Sequence, residues 1–81
     1  MYTTSRYTET KTRVLAKKLA MEHDEPYVAR GKKTIQQLVA YARRKGEETI
    51  NVVEDNGTIA TIEIDELGRW NWITSTKGDK N

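Results

Sequence analysis

This chain of 81 residues has no cysteine, a single proline, a single histidine and no long apolar run. Without cysteine there are no disulfides and no thiolate chemistry, which fits an intracellular, cytoplasmic protein. A bilayer-spanning helix needs about 20 consecutive apolar residues, and Met1 leads into polar residues instead of a signal peptide. His23 has no thiol to activate, and a lone histidine at a helix end caps or packs more often than it transfers protons. No spacing of Asp, Glu and His suggests a metal cage: Asp24-Glu25 and Glu47-Glu48 are short pairs near helix ends, and Asp65-Glu66 lies in a turn. These shortages argue against an enzyme, a metal, a cofactor, a small-molecule substrate and a membrane.

What the chain has is charge. Hydrophobic residues make up 36% and charged residues 32% of the sequence, the balance of a small globular domain. At this length a single core is only marginally stable, so help from a partner or a second copy is expected. The net charge of +2 is divided: residues 1–46 carry 11 Lys/Arg against 4 Asp/Glu, and residues 47–81 carry 3 against 8. Such asymmetry points to an anionic partner for the basic half; the competing reading is ordinary solvated helix faces.

The strongest local signal runs from Tyr27 to Gly46. A short β-type run, Tyr27–Arg30, meets Gly31, Lys32, Lys33 and Thr34, and then a helix. Thr34 followed three residues later by Gln37 is a capping box. Ile35, Leu38, Val39 and Ala42 form one apolar stripe. Arg43, Arg44 and Lys45 suit the negative end of the helix dipole, and Gly46 suits the left-handed position beyond it.

Before this, Met1–Tyr7 reads as an extended lead-in, and Thr8 as the cap of a helix reaching about His23. Thr12, Leu15, Ala16 and Leu19 form its inner face, with Arg13 and Lys17 on the far side. Val14 and Met21 make a weak second seam, either a contact for another subunit or scattered surface residues. Pro26 ends the segment. Thr49–Glu54 is expected to pair parallel to Tyr27–Arg30 through a crossover, then to turn at Asp55-Asn56-Gly57 into Thr58–Asp65. Glu66-Leu67-Gly68 turns again into Arg69–Ile73. These elements predict an α/β two-layer sandwich, with two helices on one face of a mixed sheet of about four strands. One domain over residues 1–74 and a disordered polar tail over residues 75–81 complete the reading.

Gly31-Lys32-Lys33-Thr34 is not a phosphate-binding P-loop: the motif's first glycine falls at Pro26, and Lys33 stands where a Ser or Thr is required. A glycine, two lysines, Arg30 and a capped helix N-terminus together still suit a phosphate of a polymer. Arg6, Arg13, Lys17, Arg30, Gly31, Lys32 and Lys33 are therefore the candidate contacts, with Arg43, Arg44 and Lys45 as secondary ones. Trp70 and Trp72 alternate in one strand and share a face, where they either stack on bases or fill the core. The scarcity of large aliphatic residues favours the core.

Taken together, these residues resemble the N-terminal half of the Brix-domain family of ribosome-assembly proteins, especially its short archaeal members. The likeness rests on Thr3-Thr4-Ser5-Arg6, on the helix with Thr12-Arg13 and Leu15-Ala16-Lys17-Lys18-Leu19-Ala20, and on Tyr27 through Arg30-Gly31-Lys32. It continues through Leu38-Val39, Ala42-Arg43, Ile50-Asn51-Val52-Val53-Glu54 and Gly68-Arg69-Trp70-Asn71-Trp72. The resemblance implies a protein acting on ribosomal or precursor RNA in processing or subunit assembly, without chemistry of its own. It also implies a fold related to the anticodon-binding domains of some aminoacyl-tRNA synthetases. Family members carry a second, similar half and a glycine-proline near the hairpin; here there is one half, either a natural half-length relative or a fragment, with Gly57-Thr58 at that position. A homodimer imitating the two halves, using Val14 and Met21 or the sheet edge, is therefore expected, or a separate second-half partner.

Overall fold

The computed structural model describes residues 1–76; the rest of the tail expected to be disordered, residues 77–81, lies outside it. The elements are β1 (Tyr2–Thr4), α1 (Thr10–Glu22), α2 (Ile35–Arg44), β2 (Thr49–Val53), β3 (Ile59–Ile64) and β4 (Trp70–Thr76). They form a four-stranded mixed sheet in the order β1-β2-β3-β4 with two helices. β1 and β2 are parallel, and the other pairs antiparallel. No helix among the described residues is long and apolar enough to cross a membrane.

α2 forms as its sequence dictates. Thr34 Oγ1 accepts from Gln37 N–H at 3.2 Å, and Gln37 Oε1 accepts from Thr34 N–H at 2.9 Å. Leu38, Val39 and Ala42 are buried, and Ile35 is half-buried. Arg43 and Arg44 occupy the last turn, and Gly46 beyond it takes φ +77°.

α1 starts differently from the expectation. Thr8 is not its cap; Glu9 holds that position and makes no side-chain cap bond. Asp55, in the β2–β3 turn, accepts instead from Glu9 N–H at 3.0 Å and from Thr12 Oγ1 at 2.5 Å. Its carboxyl is held below the usual carboxylate range, first by the Thr12 bond and next by the Glu9 amide. The buried face is also turned: Thr12, Ala16 and Ala20 pack inward, Leu19 is half-buried and Leu15 sits at the exposed rim. Small residues let the helix lie close to the sheet, which a leucine in their row would prevent.

The parallel partner of β2 is β1, not Tyr27–Arg30. That run makes only an isolated bridge, Tyr27 to Tyr2, on the other side of β1. Tyr2 N–H donates to the Pro26 carbonyl at 2.9 Å, and Val28 N–H to the Tyr2 carbonyl at 2.8 Å. β1 therefore lies between β2 and the Tyr27 bridge, with the first crossover going to one side of it and the second to the other.

This placement decides the layers. Met1 and Val52 pack in a cluster with Leu38, Val39 and Ala42 of α2, together with Ile50, Ile62 and Ile64. Their sequence neighbours Tyr2 and Val53 pack with Ala16 and Ala20 of α1. Because successive strand residues point to opposite faces, the two helices lie on opposite faces of the sheet. The expected placement on one face, as a two-layer sandwich, is corrected to helix, sheet, helix. The reason is handedness: right-handed crossovers that run in opposite directions, from β1 to the Tyr27 bridge and from there back past β1 to β2, must pass over opposite faces.

β4 runs past the expected limit at Ile73 and pairs with β3 through Thr76, with a register shift between Thr61 and Ile62. Trp70 pairs with Ile64 and Trp72 with Ile62, so both tryptophans share the α2 face, their rings edge to face at 6.4 Å. Trp70 joins the α2 core, whereas Trp72 is 49% exposed.

The amino group of Met1 donates to Glu25 at 2.8 Å, to the Thr49 carbonyl at 3.0 Å and to Glu47 at 3.3 Å. Nothing in the sequence pattern pairs Glu25 with Glu47; only the position of β1 between β2 and the Tyr27 bridge does so. His23 ends α1 and stacks on Tyr2 with ring centroids 5.9 Å apart, a packing role.

Candidate nucleic-acid interface

Two loops meet where the parallel segments end, the place where open α/β sheets present their ligand sites. One, Ser5–Glu9, leaves β1 for α1; the other, Ala29–Thr34, leaves Tyr27-Val28 for α2. Arg30 ties them together. Its Nε donates to the Lys33 carbonyl at 2.7 Å and its Nη1 to the Thr4 carbonyl at 2.9 Å, and the residue is buried. Burial, and then the positive charge of Arg6, lower its pKa below that of an ordinary guanidinium. Arg30 was expected among the phosphate contacts; its geometry makes it the brace of the two loops, since two of its nitrogens are spent on backbone carbonyls. Its long stem beside Gly31 gave no sign in sequence that the head turns inward.

The other residues divide by position. Arg6 and Lys32 are exposed, and Lys33 is half-buried with Nζ on the Ala29 carbonyl at 3.2 Å. Gly31 takes φ +54°, the left-handed turn that carries the chain from Arg30 into the lysines, and open space surrounds it. Arg6, Gly31, Lys32 and Lys33 thus lie on two loops joined by Arg30, a short cationic rim beside the N-terminus of α2.

Arg13 and Lys17 lie on α1, outside the two loops. Arg13 folds back onto its own helix start, with Nη1 on the Thr8 carbonyl and Nη2 on Thr10 Oγ1, both at 3.0 Å. Lys17 lies over the Tyr27 ring at 5.6 Å. At the far end of α2, Arg44 and Lys45 lie over the Tyr41 ring at 5.7 and 5.6 Å. Lys33, Gln37, Ala40, Tyr41 and Arg44 line one shallow groove, so Arg44 continues the rim along the helix. Arg43 does not: it sits against Gly68 and borders a cleft with Glu47, Glu48, Glu63, Asp65 and Glu66. One pole is cationic and the other acidic, separated by a helix about 15 Å long at 1.5 Å per residue.

Val14 and Met21 are 58% and 80% exposed on the outer side of α1. Tyr7, which the sequence reading left aside, is 87% exposed at φ +61°, with the Arg6 guanidinium 5.5 Å from its ring centroid. Among the described residues no group of three or more His, Asp and Glu is placed to hold a metal ion.

The same architecture occurs in solved archaeal structures. A probable ribosomal biogenesis protein from Aeropyrum pernix matches 91% of this chain at 25% sequence identity, with a TM-score of 0.79. Mil, an archaeal Imp4-like protein, matches 85% at 28% identity, with a TM-score of 0.64. In fold the chain resembles archaeal Brix-like proteins. It spans 44% and 45% of the length of those two proteins. No family model and no curated protein sequence matches it.

Proposed function

We propose that this Brix-like chain is a non-catalytic RNA-binding module of ribosome biogenesis, acting in the cytoplasm on ribosomal or precursor RNA. The observation that carries the reading is the pair of cationic loops at the ends of the parallel segments, in a fold shared with an archaeal ribosomal biogenesis protein. Arg6, Lys32 and Lys33 supply charge for backbone phosphates, Gly31 lets the backbone approach, and Arg44 extends the track along α2. Phosphate contacts of this kind position a polyanion without reading sequence. The acidic pole around Glu47, Glu48, Glu63 and Glu66 repels the same polymer, so long-range attraction also orients the encounter.

The test is titration of the protein into a labelled ribosomal RNA fragment at two salt concentrations, beside a variant with Arg6, Lys32 and Lys33 changed to alanine. Arg30 is left in place because its removal would loosen both loops. Binding should weaken steeply with salt, with each lost phosphate contact reducing the log–log slope by about 0.7 to 0.9. Binding by the folded triple variant equal to the parent's would refute this site.

A second reading, a protein-docking module or homodimer, is favoured by β4. It is the last strand of the sheet, and Trp72 and Ile73 on it are each 49% exposed. Large apolar side chains on an edge strand invite another chain. Sedimentation across micromolar concentrations tests it: a monomer throughout would count against self-association by this edge or by Val14 and Met21.

A further inference from the structure

We infer that Tyr7 is a stacking platform for an unpaired base, so that the cationic rim takes single-stranded rather than duplex RNA. The inference rests on the RNA reading above and narrows it to one class of nucleic acid.

Tyr7 is at φ +61°, in the left-handed region that a bulky side chain seldom adopts. The conformation is held from both sides. Ser5 N–H donates to the Val53 carbonyl at 3.0 Å, Glu9 N–H to Asp55 at 3.0 Å, and Arg13 Nη1 to the Thr8 carbonyl at 3.0 Å. A strained residue that packed in the core would have an evident reason for its strain. Tyr7 packs on nothing comparable: it is 87% exposed. The turn thus projects a flat aromatic surface into solvent from an anchored loop.

Its surroundings name the ligand. The Arg6 guanidinium lies 5.5 Å from the ring, and Arg6 is close enough to act electrostatically on Arg30 in the neighbouring loop. Tyr7 stands between Arg6 and Thr8 on the loop that Arg30 ties, through the Thr4 and Lys33 carbonyls, to the loop carrying Lys32 and Lys33. Aromatic rings interleaved with phosphate-binding cations are the elements of single-strand recognition, because an unpaired base exposes a π face that a duplex hides. A preset ring loses little freedom on binding.

The experiment uses the full chain and two probes: an unstructured labelled RNA strand of mixed sequence, and the same strand annealed to its complement. Two variants are compared with the parent. Tyr7→Asn removes the ring but tolerates the left-handed backbone, and Tyr7→Phe keeps the ring. Tyr7→Asn should weaken single-strand binding on the order of tenfold or more, with duplex binding and the salt slope unchanged, while Tyr7→Phe binds like the parent. Single-strand affinity unchanged in Tyr7→Asn overturns the stacking role and leaves the phosphate reading standing. Equal losses on strand and duplex also overturn it, since a duplex offers no free base. A parent that binds neither probe overturns both readings together.

Discussion

Replacing Arg30 with alanine separates a brace from a binding contact. The guanidinium is buried and donates to the Lys33 and Thr4 carbonyls at 2.7 and 2.9 Å. A hydrogen bond to a charged group contributes about 1.5–3 kcal/mol. Losing both leaves two carbonyls short of a donor, and relief of the buried charge offsets part of the loss. The net destabilisation should be about 2–4 kcal/mol. In a domain of this size each kcal/mol lowers the melting temperature by roughly 4–8 °C, so urea and thermal unfolding followed by circular dichroism will resolve it. Arg30→Lys should fall between, because one ammonium head does not reproduce the forked geometry. Lys32→Ala, at an exposed position, should stay within about 0.5 kcal/mol of the parent while lowering RNA affinity. Unchanged stability in Arg30→Ala together with lost RNA binding would refute the brace and return Arg30 to the phosphate contacts.

Other outcomes follow from the same geometry. Asp55 has a folded-state pKa below its unfolded value, so its stabilising effect is present above the unfolded carboxylate range and lost as pH falls through the folded value. Asp55→Asn should flatten the acid limb of a stability–pH profile, and a limb identical to the parent's would show that this cap does not contribute to it. Leu38→Ala, at a fully buried position, should cost about 2–5 kcal/mol in urea unfolding. Trp72→Phe should leave the blue-shifted emission of half-buried Trp70, and Trp70→Phe the redder emission of Trp72; identical spectra would contradict their different settings.

The sequence exposed those features whose causes are local. The capping box at Thr34 and Gln37, the α2 stripe and the Asp55-Asn56-Gly57 hairpin each depend on residues a few positions apart, and all are present. The features that escaped it depend on distant partners. The cap of α1 comes from Asp55, separated from Thr12 by 43 positions, so Thr8 was the nearest residue of the right type but not the one used. Tyr27–Arg30 has strand-like residues, but β2 lies against the other side of β1, leaving that run one bridge. The loop lysines were legible as charge. That Arg30 turns inward and Tyr7 outward was not, because periodicity says nothing about irregular backbone.

The parallel pairing of β1 with β2 also sets an order of events. β1 can pair with β2 only after most of the chain has been made, and loop closure over that distance is the slow part of folding. The β2–β3 hairpin and α2 have local partners and can form early. The loop bearing Arg6 and Tyr7 lies near the start of the chain, yet Val53 and Asp55 hold its two ends. Its shape is therefore among the last features to be completed, and a nascent chain released before β2 would carry the loop's charge without its fold.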